Sequence, residues 1–247
     1  MKRRHLAAIG LAVYAAGIIA IAPATLVDAG LQRMSRGKLH LVEAHGTLWS
    51  GSGRIEMRDP GGRAGVAKSL AWRLQPESLL RGQLVGEVRL DQSGKFFPVT
   101  LSLSGIELAN ADISFPATAL GLGMPMLAPL GLTGEVLLHI AALSVERTQV
   151  QGRATLQWRN AGSVFTPISP LGDYELNFDG DGASVQVLLH TLQGPLQLDG
   201  KGSWAIGASP DFLAIAQVPP AQLEQLGPLL RLIAVERATG RFELQLK

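Results

Sequence analysis

The chain of 247 residues contains no cysteine. No disulfide can form in it in any compartment, and thiol nucleophiles and cysteine-ligated metal centres are excluded, so the fold must stand on packing alone. Aromatic residues are scarce, at 5% of the chain. Trp49, Trp72, Trp158 and Trp204 all fall in strand-like runs and are expected as core anchors, each ring able to bury about 150–250 Å². Charged residues make up only 17% and form no block of one sign, which argues against disordered or polybasic tails.

Apolar residues make up 47%, enough to bury a core in one large or two small domains. The calculated pI near 9.1 suggests a nucleic-acid partner until its origin is located. Without Lys2, Arg3 and Arg4, 19 basic residues face 20 acidic ones, which removes that reading. From Arg33 to Arg89 the balance is +5, and from Leu90 to Gly200 it is −6. Either these are scattered solvated charges, or a basic membrane-proximal part is followed by an acidic distal one.

Residues 1–27 give the rest its setting. Lys2, Arg3 and Arg4 precede the uncharged run Leu6–Ala22, which includes Leu6, Ile9, Leu11, Val13, Ile18, Ile19 and Ile21. As a helix, positions 6–27 reach roughly 33 Å, enough for a hydrocarbon core of about 30 Å. Basic residues stay cytoplasmic. The expectation is a cytoplasmic tail at 1–5, an inner-membrane anchor at 6–27 and a periplasmic remainder. Ala22-Pro23-Ala24 resembles a signal-peptide cleavage site, but its proline and the long apolar run favour retention.

Beyond the anchor, Ala29 to Lys38 reads as a short amphipathic extension. Period-2 alternation then dominates and predicts a mainly β chain of antiparallel strands with one or two short helices. Leu70, Trp72 and Leu74 share one phase, with Ala71, Arg73 and Gln75 on the other; Leu84, Gly86, Val88 and Leu90 oppose Glu87 and Arg89. Asp59-Pro60-Gly61-Gly62 is a turn, Glu77–Arg81 a helical turn opened by Pro76, and the phase slip after Gly105 a bulge. Residues 28–112 form a first β half, 113–133 a Pro- and Gly-rich crossover, and 134–247 a second half. In that half Val136, Leu138 and Ile140, then Ala154, Leu156 and Trp158, then Tyr174, Leu176 and Phe178 keep the apolar phase. Leu223, Leu226, Leu230 and Ile233 predict a helix within 219–234, broken or bent at Gly227-Pro228. The halves are loosely similar, with glycines opening many runs.

Reactive motifs fail on chemistry. His5, His40, His45, His139 and His190 show no ligand spacing. Asn177 to Gly182 matches the first half of a calcium loop, but Leu188 stands where the bidentate carboxylate belongs, so a hairpin turn is expected. Ser50-Gly51-Ser52-Gly53 is not a nucleophile elbow, and Gly200-Lys201-Gly202-Ser203 is not a phosphate loop. No catalytic, cofactor or metal residue emerges, and no enzyme or small-molecule substrate is expected.

Four stretches carry a resemblance. They are Gly46-Thr47-Leu48-Trp49-Ser50-Gly51; Gly152 to Trp158; and Ser169-Pro170-Leu171-Gly172-Asp173-Tyr174 followed by Leu192-Gln193-Gly194-Pro195-Leu196-Gln197-Leu198-Asp199-Gly200. With the basic start and single span, their order and spacing resemble the type II secretion system protein N family of Gram-negative bacteria. The resemblance implies a bitopic inner-membrane protein whose periplasmic β domain joins other inner-membrane and periplasmic secretion components, with no catalytic residue. The AsmA-like envelope proteins, for which an apolar groove handling lipid is expected, are a second resemblance. An open apolar groove would favour the lipid role, and a closed core with an exposed edge strand would favour docking, with strand addition as one route.

Overall fold

Antiparallel strands make up most of the chain, as the alternation predicts. The computed structural model describes residues 20–58, 64–92, 94–205, 207–209 and 211–246, together with His5, Gly10, Tyr14, Gly17 and Ile18. The chain forms two compact units, Met1–Phe96 and Phe97–Lys247. Anchor positions Lys2, Arg3, Arg4, Leu6, Ile9, Leu11, Val13 and Ile19 lie outside the described residues, as does the 59–62 turn; Ile18 and Ile21 are exposed. Among the described residues no helix is long and apolar enough to cross a membrane.

In the first unit, helix α1 (Thr25–Met34) leads into strands β1 (Leu39–Gly46), β2 (Ser50–Arg58), β3 (Ala64–Gln75) and β4 (Gln83–Leu90), paired antiparallel in chain order. The run Leu39–Met57 is thus a hairpin, turning at 47–49. One sheet face presents Leu41, Ile55, Leu70, Trp72, Leu74, Val88 and Leu90, covered by Ala24, Val27 and Leu31. Those three positions, spaced three and four residues apart, define one side of a helix that starts just before Thr25. A 3-10 helix at Pro76–Arg81 joins β3 to β4, where the proline predicts a helical turn. Ser78 locks this joint: its hydroxyl donates to the Gln75 carbonyl at 2.5 Å and accepts the Val85 N–H at 3.0 Å.

Helix α1 also occupies the outer edge of β1. Asp28 Oδ1 accepts the Leu41 N–H at 2.8 Å, Ser35 Oγ accepts the Leu39 N–H at 2.9 Å, and Ala24 N–H donates to the Gly46 carbonyl at 3.3 Å. A positive φ of 53° at Glu43 breaks the strand between these points. The edge is therefore closed to strand addition by the chain's own residues.

In the second unit, β5 (Phe97–Ser102), β6 (Gly105–Pro116), β7 (Leu132–Glu146), β8 (Val150–Ser163), β9 (Gly172–Gly182), β10 (Ser184–Gln193), β11 (Gln197–Ala205) and β12 (Asp211–Gln217) pair antiparallel in turn. The order then inverts: β14 (Arg241–Leu246) lies between β12 and the short edge strand β13 (Val235–Ala238). The register lines apolar residues into rows. One runs Ile113, Leu138, Leu156, Leu176, Leu189; another runs Ala111, Ile140, Ala154, Phe178, Val187. At one end the sheet is capped by helix α3 (Leu223–Ile233), where Leu226, Leu229 and Leu230 pack with Leu171, Leu196, Val218 and Phe242.

Several expectations need correction. Gly105 is not a bulge; it starts the return strand of a hairpin, with Val99 opposite Leu108 and Leu103 at the exposed tip. Residues 113–133 hold the end of β6, helix α2 (Thr118–Gly123), a 3-10 helix (Pro125–Leu130) and the first residues of β7. This excursion lies inside the second unit, because β6 and β7 pair along their length, whereas the two compact units part at Phe96 and Phe97. Helix α3 continues through Pro228: Pro228 and Glu224 are both exposed, so the Glu224 carbonyl that loses its N–H partner can turn to water. Ile233 is 38% exposed, because the chain leaves the helix at Ala234 and Ala234 packs against the core instead. Trp204 is 52% exposed, six residues, or roughly 20 Å of extended strand, beyond Leu198 at the core.

Two outcomes follow. Leu226 is fully buried, so Leu226→Ala should cost about 2–5 kcal/mol, read as a fall in the urea midpoint. Burial raises the pKa of Asp28, but the hydrogen bonds from Leu41 N–H and Gln32, with His40 and Arg58 nearby, outweigh it and hold the carboxyl below its usual value. Its stabilising effect is present above the ordinary carboxylate pKa and is lost as pH falls through the lower folded value. Asp28→Ala should therefore destabilise by about 1–2 kcal/mol at pH 7, with the gap to the parent protein closing in acid titrations below about pH 4.

Candidate functional site

The first motif closes the β1–β2 hairpin. Thr47 N–H donates to the Ser50 carbonyl at 2.9 Å, and Thr47 Oγ1 accepts the N–H groups of Trp49 and Ser50 at 3.2 Å each. The Trp72 indole, buried on β3, reaches across and donates from Nε1 to the carbonyls of Leu48 at 3.0 Å and Thr47 at 3.2 Å. Its ring lies so close to Gly51 that a Cβ there would stand 2.5 Å from Trp72 Cζ2. Leu48 N–H donates to the Ala22 carbonyl at 2.7 Å, and the Trp49 carbonyl accepts from Leu74 N–H at 2.6 Å. Gly46, Leu48, Trp49 and Gly51 thus tie the segment before α1, the hairpin and β3 together.

The last two motifs, separated in sequence, meet in space. Leu171 N–H donates to the Ala161 carbonyl at 2.6 Å, and Leu196 N–H to the Leu171 carbonyl at 3.1 Å. Tyr174, 1% exposed, donates its hydroxyl to the Leu196 carbonyl at 3.0 Å and stacks at a tilt on Trp158, 5.8 Å between ring centres. Burial, with Asp173 adjacent, pushes the phenol pKa well above its usual value, so it stays a neutral donor. Gly194, at φ 126°, passes against the Gly172 backbone where no side chain fits. Pro170 and Pro195 flank this knot. Gly200 belongs elsewhere, on β11, where it leaves room for the Phe212 ring.

These positions hold the molecule together, and none presents a reactive group. His40 and His45 contact the carbonyls of Gly37 and Glu43, His139 pairs with Asp112 at 2.6 Å, and His190 lies 3.5 Å from Glu175. Among the described residues no three or more His, Asp or Glu side chains converge as for a metal. The stretch resembling a calcium loop is the β9–β10 hairpin turn, in which Asp181 Oδ1 accepts the N–H groups of Ala183 at 3.0 Å and Ser184 at 2.8 Å.

Sequence reasoning missed the polar face of the first sheet. Two adjoining hollows of about 500 and 380 Å³ open there. The first is lined by Glu43, Arg54, Arg89 and Asp91, among others, and the second by His45, Ser50, Ser52, Arg73, Arg89 and Phe96, among others. The guanidinium carbons of Arg73 and Arg89 stand 4.7 and 4.8 Å from the centre of the Phe96 ring. Alternation placed both arginines on the polar phase, but Phe96, beyond the strand pattern, gave no sign of joining them. In the second unit the apolar rows through Leu138, Leu156, Leu176, Phe178, Val187 and Leu189 are only half-buried.

Antiparallel pairing in chain order up to β12, with marker residues committed to hairpin clasps, defines the chain as an antiparallel β scaffold. The family model for type II secretion system (T2SS), protein N, matches residues 37–245, and the chain belongs to that family. Its role lies in type II protein secretion. No curated protein and no solved structure matches the chain.

Tyr174→Phe leaves the buried Leu196 carbonyl without its donor and should cost about 1–3 kcal/mol. Gly194→Val, which forces a β-branched side chain into a positive φ against backbone, should cost more. Chemical denaturation of the two variants beside the parent protein measures both; equal midpoints for all three would remove the knot's structural role.

Proposed function

We propose that this chain is a non-enzymatic, single-pass inner-membrane component of the type II secretion apparatus. Its amino terminus is cytoplasmic, and its β body sits in the periplasm and docks to other inner-membrane and periplasmic parts of the assembly. The observation that carries the reading is the family match, which runs from just before β1 to β14 and so takes in the sheets of both units. The basic, uncharged-core amino terminus supports the membrane placement. The commitment of motif residues to clasps supports a scaffold with no reaction to perform.

The docking mode differs from strand addition at β1, whose edge α1 occupies. At the other end β13 is four residues long and bears the Arg237–Glu243 pair at 3.0 Å, a poor template for a new strand. Contacts through side chains on the sheet faces are the remaining route. One observation favours a lipid-handling second role: the half-buried apolar rows of the second unit, which a chain of acyl carbons would cover.

Deletion of the gene should impair the export of folded proteins across the outer membrane while leaving their arrival in the periplasm intact. Crosslinking and pull-down from envelope membranes should recover secretion-platform proteins. Lipid recovered without those proteins would favour the second role, and normal export in the deletion strain would overturn the first.

A further inference from the structure

We infer that the smaller hollow on the first sheet binds a phosphate group, carried by a lipid headgroup or by a small soluble molecule. The alternation of β3 and β4 places Arg73 and Arg89 on the face opposite the Trp72 and Val88 core, and Phe96 holds both guanidinium groups against one ring. A guanidinium held by cation–π contact keeps its N–H edges open to an anion. Two like charges thereby share one aromatic partner, and a negative group beside that ring lowers the repulsion between them.

The nearby acids do not supply that group. Glu43 faces Arg54 at 3.9 Å, and Asp91 is bound to Lys68 at 2.7 Å. Glu87 stands opposite Arg73 in the strand register, yet among the described residues neither Arg73 nor Arg89 forms an ion pair. The lining of the 380 Å³ hollow includes the two arginines, Ser50, Ser52 and His45, and no Asp or Glu is among its lining residues.

The donor count selects the ligand. A carboxylate has two oxygens and is satisfied by one arginine fork, whereas a terminal phosphate, with at least three free oxygens, can engage both forks together. The floor is fixed, because Gly51 and Trp72 belong to the hairpin clasp beneath it.

The test uses the full chain in a neutral detergent, titrated by calorimetry with inorganic phosphate, with dihexanoyl phosphatidic acid, whose terminal phosphate has three free oxygens, and with hexaglutamate. Binding of phosphate, of the lipid, or of both should weaken at least about tenfold in the Arg73→Lys/Arg89→Lys pair, which keeps charge but loses the fork, and further in the alanine pair. Arg153→Ala, on the other unit, should leave it unchanged. Binding of the lipid alone assigns the phosphate to a headgroup, and binding of inorganic phosphate alone assigns it to a soluble molecule. Failure of both phosphate probes to bind the parent protein, binding that survives both double variants, or tighter capture of hexaglutamate would overturn the assignment. Thermal unfolding of each variant is checked first, and if the alanine pair fails to fold, the lysine pair decides.

Discussion

A sheet with one apolar face has to cover that face, and this requirement organises both units. In the first, a ten-residue helix is enough, because only four strands need cover and Ala24, Val27 and Leu31 meet Leu41, Leu70 and Trp72. In the second, α3 covers one end, while in the rows beyond it Ala111 and Ile140 are buried and Leu138, Leu156, Leu176, Phe178, Val187 and Leu189 stay half-buried. The same segment that covers the first sheet also seals its edge, so one element serves packing and protection against misplaced strands.

The marker residues make sense on the same basis. With no cysteine to staple loops, hairpins are fixed by indole and phenol donors reaching into carbonyls: Trp72 to Thr47 and Leu48, Tyr174 to Leu196. Each aromatic sits beside a glycine that gives way to it, Gly51 under Trp72 and Gly172 against Tyr174. Such pairs hold stretches distant in sequence, and this explains why the motifs come in matched sets. The proposed secretion role rests on units that each carry such clasps and offer their faces to partners.

Period-2 alternation made most strands legible, because Val136, Ile140, Tyr174 and Phe242 all had to face inward for the chain to have a core. Local chemistry made the Pro76 turn and the 219–234 helix legible too. What escaped were features decided between strands. Whether Gly105 marks a bulge or a turn depends on what lies opposite, and Trp204 looks like any core tryptophan until the reach of α3 is known. The knot of Leu171, Tyr174 and Leu196 needed the register of β9 with β10. The Arg73–Phe96–Arg89 cluster combined two residues whose side was readable with one whose position was not.

The account depends on the β body standing outside the cytoplasm, where secretion components can meet it. The absence of cysteine makes a direct measurement possible: a single cysteine placed at the exposed strand position Gln186 is the protein's sole thiol. In cells with a permeabilised outer membrane, a maleimide that cannot cross the inner membrane should label it fully. Labelling that appears only after the inner membrane is broken would place the body in the cytoplasm and contradict the account.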